Sequence, residues 1–498
     1  MTSPSLSRRG LITAAGLGAG VALTPAWMAD AARSAAVDAD TLWRWNHLLA
    51  DGGPRLTGNA AHRHFVDWLA AKFARTGLKV HRDRHTFTRW APRRWSLTVA
   101  GEPIDVAYYF PYSGETPPGG VTGKLVHLGL SPTNAVAWGV ARGKIAVVEV
   151  ASPQLPIGAA FPSTGHFPPA AKQPLLAPAP SITDIAVAPL LELAHRAGVL
   201  GVVCIRTGVS DALAKDQYSP FTTGHQGCPA LWVGPTAGKR LRTLARAGAR
   251  ATLTLDAQLI PNAATDTIWA VLPGSDPREA VVVNTHTDGP NVAEENGGLG
   301  LLALAREFSR VPRSRRRRSL IFVATTGHFQ IPQLSTGALL AQSASRWIAD
   351  HPELLDGRSR KTVAALTLEH LGCREWADDP RLNRYRATGL NDVGFCYTSN
   401  NRMRRLYLRN AAGTANRRTF TVAPPPALYF GEGHDFYKKR IATMSLIPAP
   451  SYLVAAPRNG AIEKLDKHLM LGQVRTFAKV IRSLDELSAR QIGTSTGL

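Results

Sequence analysis

Residues 281–298 read Val-Val-Val-Asn-Thr-His-Thr-Asp-Gly-Pro-Asn-Val-Ala-Glu-Glu-Asn-Gly-Gly. The valines make a short continuous apolar run, as expected of a strand buried on both faces. The run ends on His286 and Asp288, and a turn then leads to Glu294 and Glu295 before a small-residue stretch that predicts a helix over 298–308. Polar, metal-competent side chains thus gather just past the carboxyl end of a strand, where open α/β sheets place their binding sites.

The same pattern recurs downstream. Apolar strands are predicted over 268–272, 280–285, 320–325 and 363–368, with helices over 298–308 and 338–348 between them. Such alternation implies an α/β fold: a mostly parallel sheet with helices on both faces. His328 and Glu369, like His286, follow directly on predicted strands. A helix over 464–487, with Leu471, Val474, Ala478, Ile481 and Leu484 on one face, is expected to close the domain.

Upstream the texture differs. Asn59 is placed to cap a helix carrying Phe65, Val66, Trp68, Leu69 and Phe73 and ending at Gly77, followed by a strand over 78–80. Short β-rich runs at 124–128 and 144–150, helices over 188–197 and 237–247, and strands over 199–205 and 251–255 make 108–257 a separate, β-rich insert. The Pro-, Gly- and Ala-rich stretch 152–180 reads as a long loop. With 498 residues, a large domain interrupted by a smaller one is the expected organisation.

The first residues are set apart. Arg8-Arg9 precedes a small, weakly apolar run, and Ala29-Asp-Ala31 offers a cleavage site, so 1–31 reads as a twin-arginine export signal. The mature chain is expected outside the cytoplasmic membrane, with no spanning helix. Four cysteines, at 204, 228, 373 and 396, leave sequence-near disulfides and free thiols equally open. The net charge of +22 favours anionic cell-envelope polymers as partners. The basic run 313–318 lacks the interleaved aromatics of a nucleic-acid groove and reads as a solvated loop.

Several motifs together resemble a known family. Arg55-Leu-Thr-Gly58, Leu272-Pro-Gly-Ser275, His286-x-Asp288, the acidic pair before Asn296-Gly297, Leu366-Thr-Leu-Glu369-His-Leu-Gly372 and Gly433-His434 are similar, in order and spacing, to secreted zinc aminopeptidases related to glutamate carboxypeptidase. Gly143-Lys-Ile-Ala-Val147 and Ala197-Gly-Val-Leu-Gly-Val-Val203 resemble their inserted protease-associated domain, which makes 32–107 and 258–498 the peptidase-like part. The resemblance implies metal ligands at His286, Glu295, Glu369 and His434, with Asp288 orienting His286 by accepting its other ring proton.

The chain also departs from that pattern. His328 and Phe329 stand where the family has two adjacent glutamates, and Gly433 replaces an acidic residue. A dinuclear centre is therefore not expected. What the resemblance leaves is one zinc on His286, Glu295 and Glu369 with His328 accepting or relaying a proton, acting on a peptide or small amide. His370, Glu432 and Glu294 are further ligand candidates, although each reads more simply as a surface or supporting group. A non-catalytic descendant that binds peptides or envelope polymers is the other reading left open.

Overall fold

The structure is a computed structural model that describes residues 37–424 and 429–495. The expected export signal lies outside the described residues. Strand Asp276–His286 forms the middle of the sheet, flanked in parallel by Arg318–Thr325 and Lys361–Leu368, with Ala442–Leu446 parallel beyond the latter. Its side chains alternate: Val281 and Val283 enter one large core with Leu299, Leu302 and Phe322, whereas Ala280 and Val282 meet Val323, Ala365, Trp347 and Phe436 on the other face. Two covered faces explain why the run is apolar without alternation. Each fully buried valine contributes roughly 1.5–3 kcal/mol.

Helix Gly297–Ser309 covers the first face together with Ala60–Ala74 and Lys467–Asp485. The expected cap operates, the Asn59 side chain accepting from His62 N; the last helix is capped by Asp466, whose side chain accepts from His468 N and Leu469 N. Among the described residues no helix is long and apolar enough to cross a membrane, and all four cysteines are buried free thiols.

The segment 108–257 carries parallel strands Val121–Leu130, Ile145–Ala151, Gly201–Thr207 and Ala230–Val233, and helix Pro235–Arg246 packs on the first three of them. It joins the rest through a ribbon. Val80–Val99 (20 residues) pairs antiparallel with Arg250–Leu272 (23 residues) along nearly its whole length. Only the ends of this ribbon were expected as strands, because its middle is polar and half-exposed and so lacks a burial signal.

Two further expectations are corrected. Stretch 152–180 is not a plain loop: strand Ser163–Phe167 pairs antiparallel with Thr419–Val422 at the far end of the sheet, and helix Pro180–Val187 starts on its proline. The helix expected over 338–348 is confined to Ala344–Asp350. Leu340 has φ +62°, and the amides of Gln342 and Ala344 are held by the carboxylates of Asp435 and Glu432, which stop the helix from extending backwards.

Candidate metal centre

Three strand ends and one helix start converge. His286 closes the central strand, opposite Thr325 in register. Glu369 and His370 follow Lys361–Leu368, and His370 turns the chain with φ +55°. Glu294 and Glu295 lie on the short helix Val292–Glu295, capped by the Asn291 side chain, whose amide also donates to the carbonyls of Tyr452, Leu453 and Ala455. Asn296 then clamps the site: it donates to Leu371 O (2.8 Å) and accepts from Leu371 N (2.7 Å), fixing the helix start against the 369–371 turn. Gly297 permits that approach, because a Cβ there would meet Thr285 Oγ1 at 2.1 Å and Leu368 O at 2.2 Å.

Within this frame His286 donates from Nδ1 to the main-chain carbonyl of Asp288 (2.9 Å), which leaves Nε2 aimed inward. His286 Nε2, Glu294 Oε2, Glu369 Oε2 and His370 Nε2 are all buried without a hydrogen-bond partner. They are close together: His370 Nε2 is 3.2 Å from Glu294 and 3.9 Å from Glu369. Ligand atoms of His286, Glu369 and His370 lie within 4.8 Å of one another, as do those of His286, Glu294 and His328. An unsatisfied buried polar atom is costly, and four in one place need a common partner.

The protonation states fit a cation. Burial, reinforced by the charge of His328, holds His286 down at about 4, and burial holds His370 well below the usual imidazole range, so both are neutral donors of a lone pair. Burial and then neighbouring carboxylates push Glu294 well up, and burial with the charge of Glu432 pushes Glu369 up to about 8. Crowded carboxyls of this kind are relieved by a divalent ion among them. Two imidazoles and two carboxylates form a donor set that suits zinc.

His328 differs from this group. Its ring stacks on His286 (centroids 4.1 Å apart, planes 13° apart), and its Nδ1 donates to Glu432 Oε1 at 2.7 Å. Burial opposes its charge, but the Glu432 hydrogen bond and the surrounding carboxylates outweigh burial and hold His328 up at about 9. Glu432 stays ionised, because three hydrogen bonds, from His328, Ser343 Oγ and Ala344 N, overcome its burial.

The remaining expected residues are placed otherwise. Glu295 is bound by the buried guanidinium of Arg55, which also donates to Leu49 O and Gly53 O, and it is the neighbouring Glu294 whose ligand atom lies with those of His286 and His328. One residue further along a helix turns a side chain by about 100°, enough to separate their fates. The Asp288 carboxylate does not touch His286. It accepts from Thr57 Oγ1 (2.5 Å), Gly327 N (3.2 Å) and Phe329 N (3.0 Å), and so fixes the turn that carries His328. His434 is grouped with none of the candidate ligands; its ring stacks on Tyr429 at 6.0 Å. Sequence reading undervalued Glu294, His370 and Glu432, although all three flank motif positions, and that adjacency was the available signal.

The cluster floors a cavity of about 300 Å³. Its walls are largely apolar and come partly from segment 108–257: Leu155, Ile157, Phe161, Ile182 and Phe221 line it together with Phe395 and Ile447. Phe329 is buried, stacked on Phe221 with centroids 4.7 Å apart, and packs with Tyr218 behind the site.

No protein-family model and no curated protein matches the chain. Solved structures do. An aminopeptidase from Aneurinibacillus sp. strain AM-1 superposes with TM-score 0.58 at 16% identity, covering 94% of this chain and 97% of its own. BSAP, a zinc aminopeptidase from Bacillus subtilis, gives TM-score 0.59 at 16% identity over 91% of this chain and 97% of its own. A peptidase M28 precursor from Shewanella amazonensis gives 0.63 at 14% identity over 92% and 95%. The chain thus has the metallo-exopeptidase-like fold of these proteins, spanning nearly their full length.

Proposed function

We propose that the chain is an exported metallohydrolase of the aminopeptidase type, cleaving peptide or related amide bonds with one zinc ion. The observation that carries this reading is the convergence of four buried, unpartnered ligand atoms, on His286, Glu294, Glu369 and His370, the last three lining the floor of a cavity and His286 behind them. These four would hold the ion. Zinc in such a site supplies Lewis acidity toward the scissile carbonyl and a nucleophile near neutral pH.

The chain's own groups do the rest. His328 reaches the cavity, and Glu432 fixes its Nδ1–H, so the proton available to a substrate is the one on Nε2. Held up at about 9, His328 carries that proton at neutral pH and serves as the acid toward the departing nitrogen. Asp288 acts through it, by setting the 327–329 turn. The apolar walls exclude water and bind the substrate's side chain.

The twin-arginine leader supports export, and the charge of +22 supports residence beside anionic envelope polymers. The test is metal content of the purified chain followed by hydrolysis of aminoacyl and acylated anilides with and without chelator. One zinc per chain, turnover lost on chelation and in Glu294→Gln, and a kcat loss of ~10²–10⁴ in His328→Gln with zinc retained are expected. Metal-free, inert protein would leave the non-catalytic binding reading.

A further inference from the structure

Every residue that lines the cavity belongs to one of two classes. At the floor stand Glu294, His328, Glu369 and His370, and these are its only Asp, Glu, His, Lys or Arg side chains among the described residues. All other walls are aliphatic, aromatic or neutral polar. An exopeptidase that reads a free terminus must pair the charge of that terminus inside the site, since an unpaired buried ammonium or carboxylate is costly.

No group is left to do so. Glu294 and Glu369 are ligand candidates in the cluster, Glu432 is consumed by His328, Ser343 and Ala344, and Glu295 by Arg55. No lysine or arginine lines the walls to receive a terminal carboxylate. Acidic residues do occur in a neighbouring cavity, beyond the shared wall of Ile157, Phe395 and Ala449. There Glu375 is bound by Arg418, Asp378 by Ser210, and Asp392 accepts from Val393 N.

The mouth continues the apolar character. Ile185 and Leu340 line the cavity yet are 43% and 45% exposed, and Leu339, next in the chain, is 84% exposed. An apolar rim leading to an apolar cavity marks a site for an apolar ligand.

We infer that the amide attacked is N-acylated, its acyl group a flexible apolar chain lying in this cavity, and that a free α-ammonium is not what the site reads. This inference rests on the metallohydrolase reading of the same site, keeps its aminopeptidase-like fold and metal chemistry, and replaces the free-amine substrate of an aminopeptidase by an N-acylated one.

The test measures binding separately from turnover. Zinc-loaded full-length protein is titrated calorimetrically with leucinamide and with its N-butanoyl, N-hexanoyl and N-octanoyl derivatives. Affinity is expected to rise about three- to fourfold per added methylene, with leucinamide weakest, and Ile185→Ser with Leu340→Ser is expected to flatten the series. Affinity independent of chain length, leucinamide binding as tightly as its acylated forms, or tight amine binding abolished by Asp392→Asn would each overturn the inference. Hydrolysis of the matching anilides is scored in parallel: acyl-selective binding without turnover sinks the enzymatic reading alone, and turnover confined to the free amine sinks only the acyl assignment.

Discussion

Glu294 and Glu295 are adjacent, equally buried and chemically identical, yet the charge of Glu295 is saturated by an arginine whereas Glu294 sits in a region of orphans. On the Glu295 side the charge is paired: Arg55 spans Glu295 Oε1, Leu49 O and Gly53 O, Thr57 donates to Asp288, and His62 Nε2 bonds Thr287 Oγ1 at 2.9 Å while its Nδ1 accepts from Gly58 N, although Glu295 Oε2 has no hydrogen-bond partner. On the Glu294 side four ligand atoms face one another unbonded. The first arrangement has its counter-charge within the protein; the second calls for one to be added. A single buried or unsatisfied carboxylate therefore does not point to a metal, whereas several unsatisfied ligand atoms of histidine and glutamate facing one another do.

The largest expected effect lies on the saturated side. Glu295→Gln strands a buried guanidinium and is expected to cost about 3–5 kcal/mol by denaturant melts, while zinc stoichiometry stays unchanged; loss of zinc without loss of stability would reverse the assignment of the two glutamates. On the orphan side, zinc at 100 times its Kd is expected to stabilise the wild type by about 2.7 kcal/mol, seen as a raised Tm that chelator removes. Glu294→Gln is expected to abolish that response, and an undiminished shift would break the comparison.

Thr57→Val is a finer probe. It deprives the buried Asp288 carboxylate of one donor and is expected to cost about 1–2 kcal/mol, with zinc binding intact. A pH-dependent effect concerns Asp392, whose Oδ2 is likewise buried without a partner but stands apart from the cluster. Burial pushes its carboxyl up to about 7, against about 3.9 in the unfolded chain. Between those values the unfolded state ionises first, so this residue erodes stability as pH rises from about 4 to 7. Asp392→Asn is expected to remove that slope and to leave zinc content untouched, as pH-dependent melts would show.

The alternation of apolar runs made the central sheet legible, because strands such as Asp276–His286, buried on both faces, must be apolar throughout. The positions of His286 and Glu369 past strand ends were legible for the same reason. The distinction between Glu294 and Glu295 was not, since helical phase at a four-residue helix depends on the Asn291 cap and the Asn296 clamp, which are tertiary contacts. Nor was His370, whose inward turn requires a positive φ that no local pattern announces. Strand Ser163–Phe167 was hidden because its partner Thr419–Val422 is some 250 residues away, and a Pro-rich neighbourhood masks β-propensity.

That distant pairing has a bearing on solubility. The main path of the sheet begins at Tyr108–Tyr109 and ends at Ser163–Phe167, both contributed by segment 108–257 and only two and five residues long. Short terminal strands are poor templates for intermolecular pairing. Excising that segment would bare Thr419–Val422, a fully buried strand with an unpaired edge, so the shortened chain is expected to precipitate as oligomeric β-aggregates rather than to persist as a smaller monomer.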